Sequence, residues 1–227
     1  PEQKKLDELV VRFKKHQADC MEQYGKATTD EERDKALERR RGREFVPEFL
    51  ALADESPGTD AAGRALVWAL RIGLEREPAR EVVARLLEQH MESDVLAELP
   101  QELAGNEGVI GSEEVQKALS ELIEYSPQKN VQGQALFVLG SKQIGSKDAA
   151  VKAAGRKALE RVVADYAEFE NYRGQIGEQA GGILFKLDKL QLGMVAPEME
   201  AVDENGAKWK LSDYRGKVVL VDFWGYW

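Results

Sequence analysis

Glu55-Ser-Pro-Gly-Thr-Asp-Ala-Ala-Gly-Arg-Ala-Leu66 aligns without gaps on Tyr125-Ser-Pro-Gln-Lys-Asn-Val-Gln-Gly-Gln-Ala-Leu136, seventy residues further on. Both copies obey the same local physics. Pro57 and Pro127 end a preceding helix, because a proline ring lacks the N–H and pushes the residue before it out of the helical region. Asp60 and Asn130 are expected to cap the helix that follows. Gly63 and Gly133 fall inside that helix, where glycine costs about 1 kcal/mol relative to alanine. Packing must offset that cost, so each glycine marks a point where a neighbouring helix comes close. Two helix pairs, each followed by another helix, predict a HEAT-like or tetratricopeptide-like array with a shared core. No period of about 34 or about 40 residues recurs, which leaves an irregular helical bundle as the other arrangement.

Outward from the repeat, residues 1–192 read as helices throughout. Leu6, Leu9, Val10 and Phe13 stand at helical spacing in a first segment ending near Gly25. Thr28-Thr-Asp-Glu-Glu32 offers a cap and first-turn acids for a second helix, and Pro47 opens a third. Further helices are expected over 60–73, 78–91, 95–103, 112–125, 130–142, 147–169 and 177–190. Trp68, Phe137 and Tyr166 are read as core or groove aromatics. Gly174-Gln-Ile-Gly177 has neither a strand before it nor a Lys-Ser/Thr after it, so it is not read as a phosphate loop. No acid pair or Ser/His/Asp set emerges from the helices. What such an array does offer is a concave face for binding protein.

The 227 residues carry 32 Lys plus Arg against 41 Asp plus Glu, a net charge of −9, which leaves no positive excess for phosphate contacts and argues against nucleic acid as a partner. Arg39, Arg40, Arg41 and Arg43, bracketed by Glu38 and Glu44, read as a solvated helix face. No run is apolar for the roughly 18 residues a membrane span needs. Cys20 is the single cysteine. With His16 four positions away it shares a helix face, but two ligands do not make a zinc site. No metal or other cofactor is expected.

From Gly193 the pattern changes. Asn205-Gly206 predicts a type I′ hairpin turn, and Ala207, Trp209 and Leu211 then alternate with lysines as in a strand with one wet face. Ser212 is expected to cap a short helical turn over 213–215. Residues 218–221, Val-Val-Leu-Val, read as a central strand covered on both faces.

The segment Gly193-Met-Val-Ala-Pro-Glu-Met-Glu-Ala-Val-Asp-Glu-Asn-Gly206, followed by Leu211-Ser-Asp-Tyr-Arg-Gly-Lys217 and Val218-Val-Leu-Val-Asp-Phe-Trp-Gly-Tyr-Trp227, resembles the entry to redoxin domains of the TlpA/ResA thiol-disulfide oxidoreductase type. Secreted redoxin proteins with a helical region ahead of that domain are similar in layout. The resemblance implies two domains: an all-α, helical-repeat-like part over 1–192 and the start of a thioredoxin-like α/β domain over 193–227. The fold class is then mainly α, followed by the hairpin and first central strand of an incomplete thioredoxin-like domain. In that family a Cys-x-x-Cys pair follows the second tryptophan, so the chain reads as a fragment ending just before its redox cysteines. By the same resemblance Asp222 supports proton transfer to the resolving thiol, and Trp224 and Trp227 frame the active-site edge. The partner implied is a protein disulfide substrate or redox partner, and the location is extracytoplasmic. Two other readings stand beside it. One is a helical interaction module with an incidental redoxin tail. The other is a thiol peroxidase, which shares the Ala-Pro and Leu-Ser-Asp-Tyr-Arg-Gly-Lys elements but has a proline where this strand has its Trp-x-x-Trp.

Overall fold

The computed structural model describes residues 1–222. Eleven α-helices lie among the described residues: α1 (Glu2–Lys26), α2 (Asp30–Arg40), α3 (Val46–Glu55), α4 (Asp60–Ile72), α5 (Arg76–His90), α6 (Leu99–Gly105), α7 (Glu107–Ile110), α8 (Ser112–Tyr125), α9 (Lys129–Ile144), α10 (Ala149–Asp165) and α11 (Ile176–Lys189). The described strands form two small antiparallel hairpins, β1 (Glu170–Asn171) with β2 (Gly174–Gln175), and β3 (Glu200–Val202) with β4 (Lys208–Lys210). The fold is mainly α with a small β part. Two compact units divide it, Pro1–Gly181 and a second from Gly182 onward, with the division inside α11.

In the first unit the seventy-residue repeat is a repeat of structure. Helix α3 packs extensively on α4, α8 packs on α9 in the same way, and α5 and α10 follow the two pairs. The large side chains of these helices form one core, in which Phe49, Leu66, Leu70, Leu86, Leu119, Leu122 and Leu159 are fully buried. Short α6 and α7 bridge the copies. The helix expected over 95–103 is divided into a 3₁₀ turn at Asp94–Ala97 and α6, because Pro100 sits in the first turn of α6 and cannot continue a helix from upstream. Helix α10 stops at Asp165, short of the expected 169, and Tyr166 serves as its C-cap.

The capping residues fall one or two positions earlier than expected. Thr59, not Asp60, caps α4, its side chain accepting from the Ala62 N–H at 3.2 Å. Gln128 holds the corresponding place at α9 without a side-chain cap. Asp60 and Asn130 turn instead to the loop at 91–94: Ser93 Oγ donates to Asp60 Oδ1 at 2.7 Å, and Asn130 Nδ2 donates to Asp94 Oδ1 at 3.4 Å. Ser126 Oγ and Gln128 Nε2 donate to the carbonyls of Met91 and Glu92 in the same loop. At α2 the expected cap is present in full: Thr29 Oγ1 accepts the Glu32 N–H, and the Glu32 carboxylate accepts the N–H groups of Thr28 and Thr29.

Both repeat glycines stand at close approaches. A Cβ at Gly133 would lie 2.9 Å from Tyr166 Cβ, and one at Gly63 would lie 3.0 Å from the His90 ring. His90 is buried, and neither ring nitrogen has a hydrogen-bond partner. Burial holds its pKa below the ordinary imidazole value, opposed by Asp60 and reinforced by Arg85. Because the folded value is the lower one, the unfolded chain binds the extra proton first as pH falls through about 6.5. Stability is therefore full above that pH and declines as pH drops through it. Urea midpoints measured on either side are expected to fall on acidification, and less so in His90→Leu; equal declines in the two proteins would remove His90 as the cause.

The second unit holds the β3–β4 hairpin, in the register Glu200↔Lys210, Ala201↔Trp209, Val202↔Lys208. Its turn is not type I′. Asn205 does not have positive φ; only Gly206 does, at +81°. The Gly206 N–H donates to the Asp203 carbonyl at 3.0 Å, as in a type I turn followed by a glycine bulge. The Asp203 carboxylate favours this form by accepting from the N–H groups of Asn205 and Ala207 at 2.9 and 2.8 Å. The helical turn that follows is Leu211–Tyr214, starting two residues and ending one residue earlier than expected, and its start is held by Asp213 Oδ2, which accepts the Lys210 N–H. Ser212 lies within it and gives its N–H to Glu198.

Candidate functional site

The residues that the family resemblance singles out lie at the end of the chain. Residues 218–222 carry no ladder partner and are exposed. Exposure alternates along them, 103% at Val218, 43% at Val219, 94% at Leu220 and 44% at Val221, which is the period of an extended chain. They are not the covered central strand expected, because a central strand needs a neighbour on each side and the described residues of this unit supply only the β3–β4 hairpin. Asp222 is exposed there, with no cysteine among the residues around it. Trp224 and Trp227 lie outside the described residues. Before this stretch, Trp209 and Tyr214 meet edge to face at 6.1 Å, and Leu211 N–H bonds the Met199 carbonyl at 2.9 Å. Glu198 is held below the ordinary carboxylate range first by the Ser212 hydroxyl and then by the Ser212 N–H.

Cys20 is buried on α1, 3.6 Å from His16 Nε2. That imidazole also reaches the Arg39 carbonyl at 2.7 Å and Glu44 at 3.3 Å. Among the described residues no cluster of His, Cys, Asp or Glu has the form of a metal site, and no helix is long and apolar enough to cross a membrane.

The helical unit contains a second feature, a cavity of about 740 Å³ between α4, α6, the start of α9 and the β1–β2 hairpin. Arg64 and Gln134, the variable residues of the Gly-[Arg/Gln]-Ala-Leu repeat, both line it. Arg71 is fixed in its wall: the guanidinium lies 4.8 Å from the Trp68 ring centroid and bonds Glu98 and Glu102 at 2.8 and 2.7 Å. Trp68 in turn stacks on Phe49 at 5.9 Å and meets Phe13 edge-on. Gln134 is 1% exposed. Its Nε2 donates to the Glu170 carbonyl at 2.9 Å and to Asn130 Oδ1 at 3.4 Å, while its Oε1 has no partner.

Comparison with known proteins bears on the chain over a short stretch, 46 residues, or 20% of it. Over those residues it is 39% identical to the thiol-disulfide oxidoreductase ResA of Bacillus thuringiensis subsp. konkukian, and equally to that of Bacillus cereus. Over that stretch it is a weak partial homologue of these two oxidoreductases. The chain spans about a quarter of the length of these curated relatives, 27%. No family model matches it, and no solved structure gives a significant match.

The cavity is not assigned by the sequence reading, although one signal for it was present. Within the repeat, positions 64 and 134 are where the pattern admits a charged or amide side chain between a glycine and an alanine that must pack. A polar residue fixed at that place in both copies points away from the helix contact and toward a common face.

Proposed function

We propose that the chain is part of a thiol-disulfide oxidoreductase of the thioredoxin superfamily, with an all-α region over 1–192 ahead of a redoxin segment over 193–227. The 39% identity to ResA is the observation that carries this reading, and the Leu211 to Trp227 motif agrees with it. The reaction proposed needs two thiols. One, as thiolate, attacks a sulfur of a substrate disulfide and expels the other sulfur as a thiolate; the second then attacks the mixed disulfide, releasing the reduced substrate and leaving an enzyme disulfide. Two electrons pass to the substrate. In this scheme Asp222 exchanges a proton with the second thiol, and Trp224 and Trp227 border the reacting sulfurs. The site is extracytoplasmic by the same resemblance.

Cys20 cannot perform this chemistry, being buried and without a second thiol. The polypeptide 1–227 is therefore expected to show no insulin reduction above the dithiothreitol rate. Turnover above that background, surviving Cys20→Ser, would contradict the assignment of the reaction to a cysteine pair of the redoxin segment. The decisive observation is the coding sequence beyond Trp227: a Cys-x-x-Cys within the next few codons is the expected result, and a long open frame without one overturns the reading.

A second reading, a helical module that recruits a protein, is favoured by the polar cavity of the first unit. The two are compatible, since a redox domain can draw its substrate from a neighbouring binding surface.

A further inference from the structure

The cavity on the helical unit has the size of a ligand site, about 740 Å³, and its polar groups are unbalanced in one direction. Four carboxylates line it, Asp94, Glu98, Glu102 and Glu170, against the two guanidiniums of Arg64 and Arg71. Arg71 is shared between Glu98 and Glu102, and Arg64 stands 3.8 Å from Glu98. Asp94 and Glu170 have no lysine or arginine partner among the described residues, and both are exposed at the rim. The wall thus holds an excess of negative charge.

Gln134 gives the same sign from inside. Its amide cannot be turned over, because Nε2 already donates to two acceptors, the Glu170 carbonyl and Asn130 Oδ1. Oε1 is consequently a fixed acceptor, buried and unmatched. A buried acceptor without a donor costs on the order of 1–3 kcal/mol. What satisfies it is an N–H donor. Unpaired carboxylates and an unmatched acceptor together describe a ligand that is cationic and rich in N–H groups.

The hairpin indicates that this group belongs to a polypeptide. Strand β1 pairs only with β2, and the Ile176 N–H to Phe169 carbonyl bond, at 2.9 Å, closes the ladder one residue before Glu170. In an antiparallel ladder the next residue then directs its N–H and C=O away from the partner strand. Those groups of Glu170 therefore point away from β2, where the carbonyl accepts from Nε2 of Gln134, a residue of the cavity wall. An open strand edge accepts an extended main chain. At the same rim Tyr172 is 77% exposed and carries the Arg173 guanidinium 5.1 Å from its ring centroid, the contact that an aromatic face makes with a basic side chain. We propose that the cavity between α4, α6, α9 and the β1–β2 hairpin seats a lysine or arginine side chain of an extended polypeptide segment. This does not depend on the redox reading, since every residue involved lies in the first unit.

The test uses residues 1–227 labelled with nitrogen-15 and an alanine-flanked pentapeptide with lysine at its centre, blocked at both ends. Titration is expected to shift the Gln134 side-chain amide and the backbone amides of 170–172. The same peptide with glutamine in place of lysine should bind at least fivefold more weakly. The double variant Asp94→Asn, Glu170→Gln changes only exposed groups; it should keep the wild-type circular dichroism and melting point and should lose the preference for lysine. Equal binding of the two peptides, or an unchanged preference in the double variant, overturns the proposal. So does free spermidine binding as tightly as the lysine peptide, which would make the cavity a small-amine site. None of these outcomes bears on the presence of a cysteine pair, so failure here and failure of the redox reading are distinguishable.

Discussion

Phe49→Ala is expected to lower the unfolding free energy by about 3–5 kcal/mol, the range for emptying a buried aromatic position. Phe49 is 0% exposed. It belongs to an aromatic cluster that ties three helices together, stacked on Trp68 of α4 at 5.9 Å and edge-on to Phe13 of α1 at 6.4 Å. Aromatic pairs add about 0.5–1.5 kcal/mol beyond the area they bury, so the loss belongs in the upper part of the range. Domains of this kind have about 5–15 kcal/mol to lose. Urea unfolding followed by helical circular dichroism measures the change, and Phe185→Ala, at a position half exposed on α11, serves as the reference. A loss below about 1 kcal/mol would place Phe49 among ordinary surface substitutions and remove the cluster as the link between α1 and the repeat.

Gly133→Val should destabilise by about 1–3 kcal/mol or more through overpacking. Helix propensity alone would favour replacing this glycine, by about 1 kcal/mol for alanine. Geometry decides the sign. The atoms a new Cβ meets are Tyr166 Cβ, Cγ and Cδ1, at 2.9, 3.0 and 3.1 Å, which is the stem of the side chain and not its mobile end. The far end is held too: the Tyr166 hydroxyl donates to Gln132 Oε1 at 3.0 Å and accepts from Arg161 at 3.1 Å. Gly181, also within a helix, has nothing within 4 Å of a built Cβ. Gly181→Ala should therefore stabilise, by about 0.4–1 kcal/mol. Thermal melts of the two variants are expected to move in opposite directions, and a Gly133→Val protein as stable as the parent would mean that Tyr166 can withdraw.

Gly63 and Gly133 show what could be read from the sequence. Proline, glycine and the repeat between them mark α3, α4, α8 and α9, because breakers and close approaches are local requirements that one residue type meets best. The exact cap did not follow, since Thr59 and Asp60 are both good capping residues and the choice was made by Ser93, a residue far along the chain. The hairpin at 203–207 was legible as a hairpin, but its turn type was set by the Asp203 carboxylate and not by the Asn-Gly pair alone. Strands β1 and β2 left no trace, having two residues each and no alternation to detect. The candidate site divides similarly. Asp222, Trp224 and Trp227 came from a motif, whereas Gln134 became visible as an unmatched acceptor only once Glu170 and Asn130 were folded around it.

The loop at 91–94 gives a hydrogen bond to the first turn of α4, from Ser93 to Asp60, and accepts hydrogen bonds from the start of α9, from Ser126, Gln128 and Asn130. A stack whose units touched only along their flanks could fray from either end, one unit at a time. Here both copies are pinned to the same four residues. A melting front that reaches this clasp from one copy releases the other, so the two copies should open in a single step, and the amides of α4 and α9 should exchange with the same free energy. A proteolytic nick at that loop would turn one cooperative body into two weaker ones.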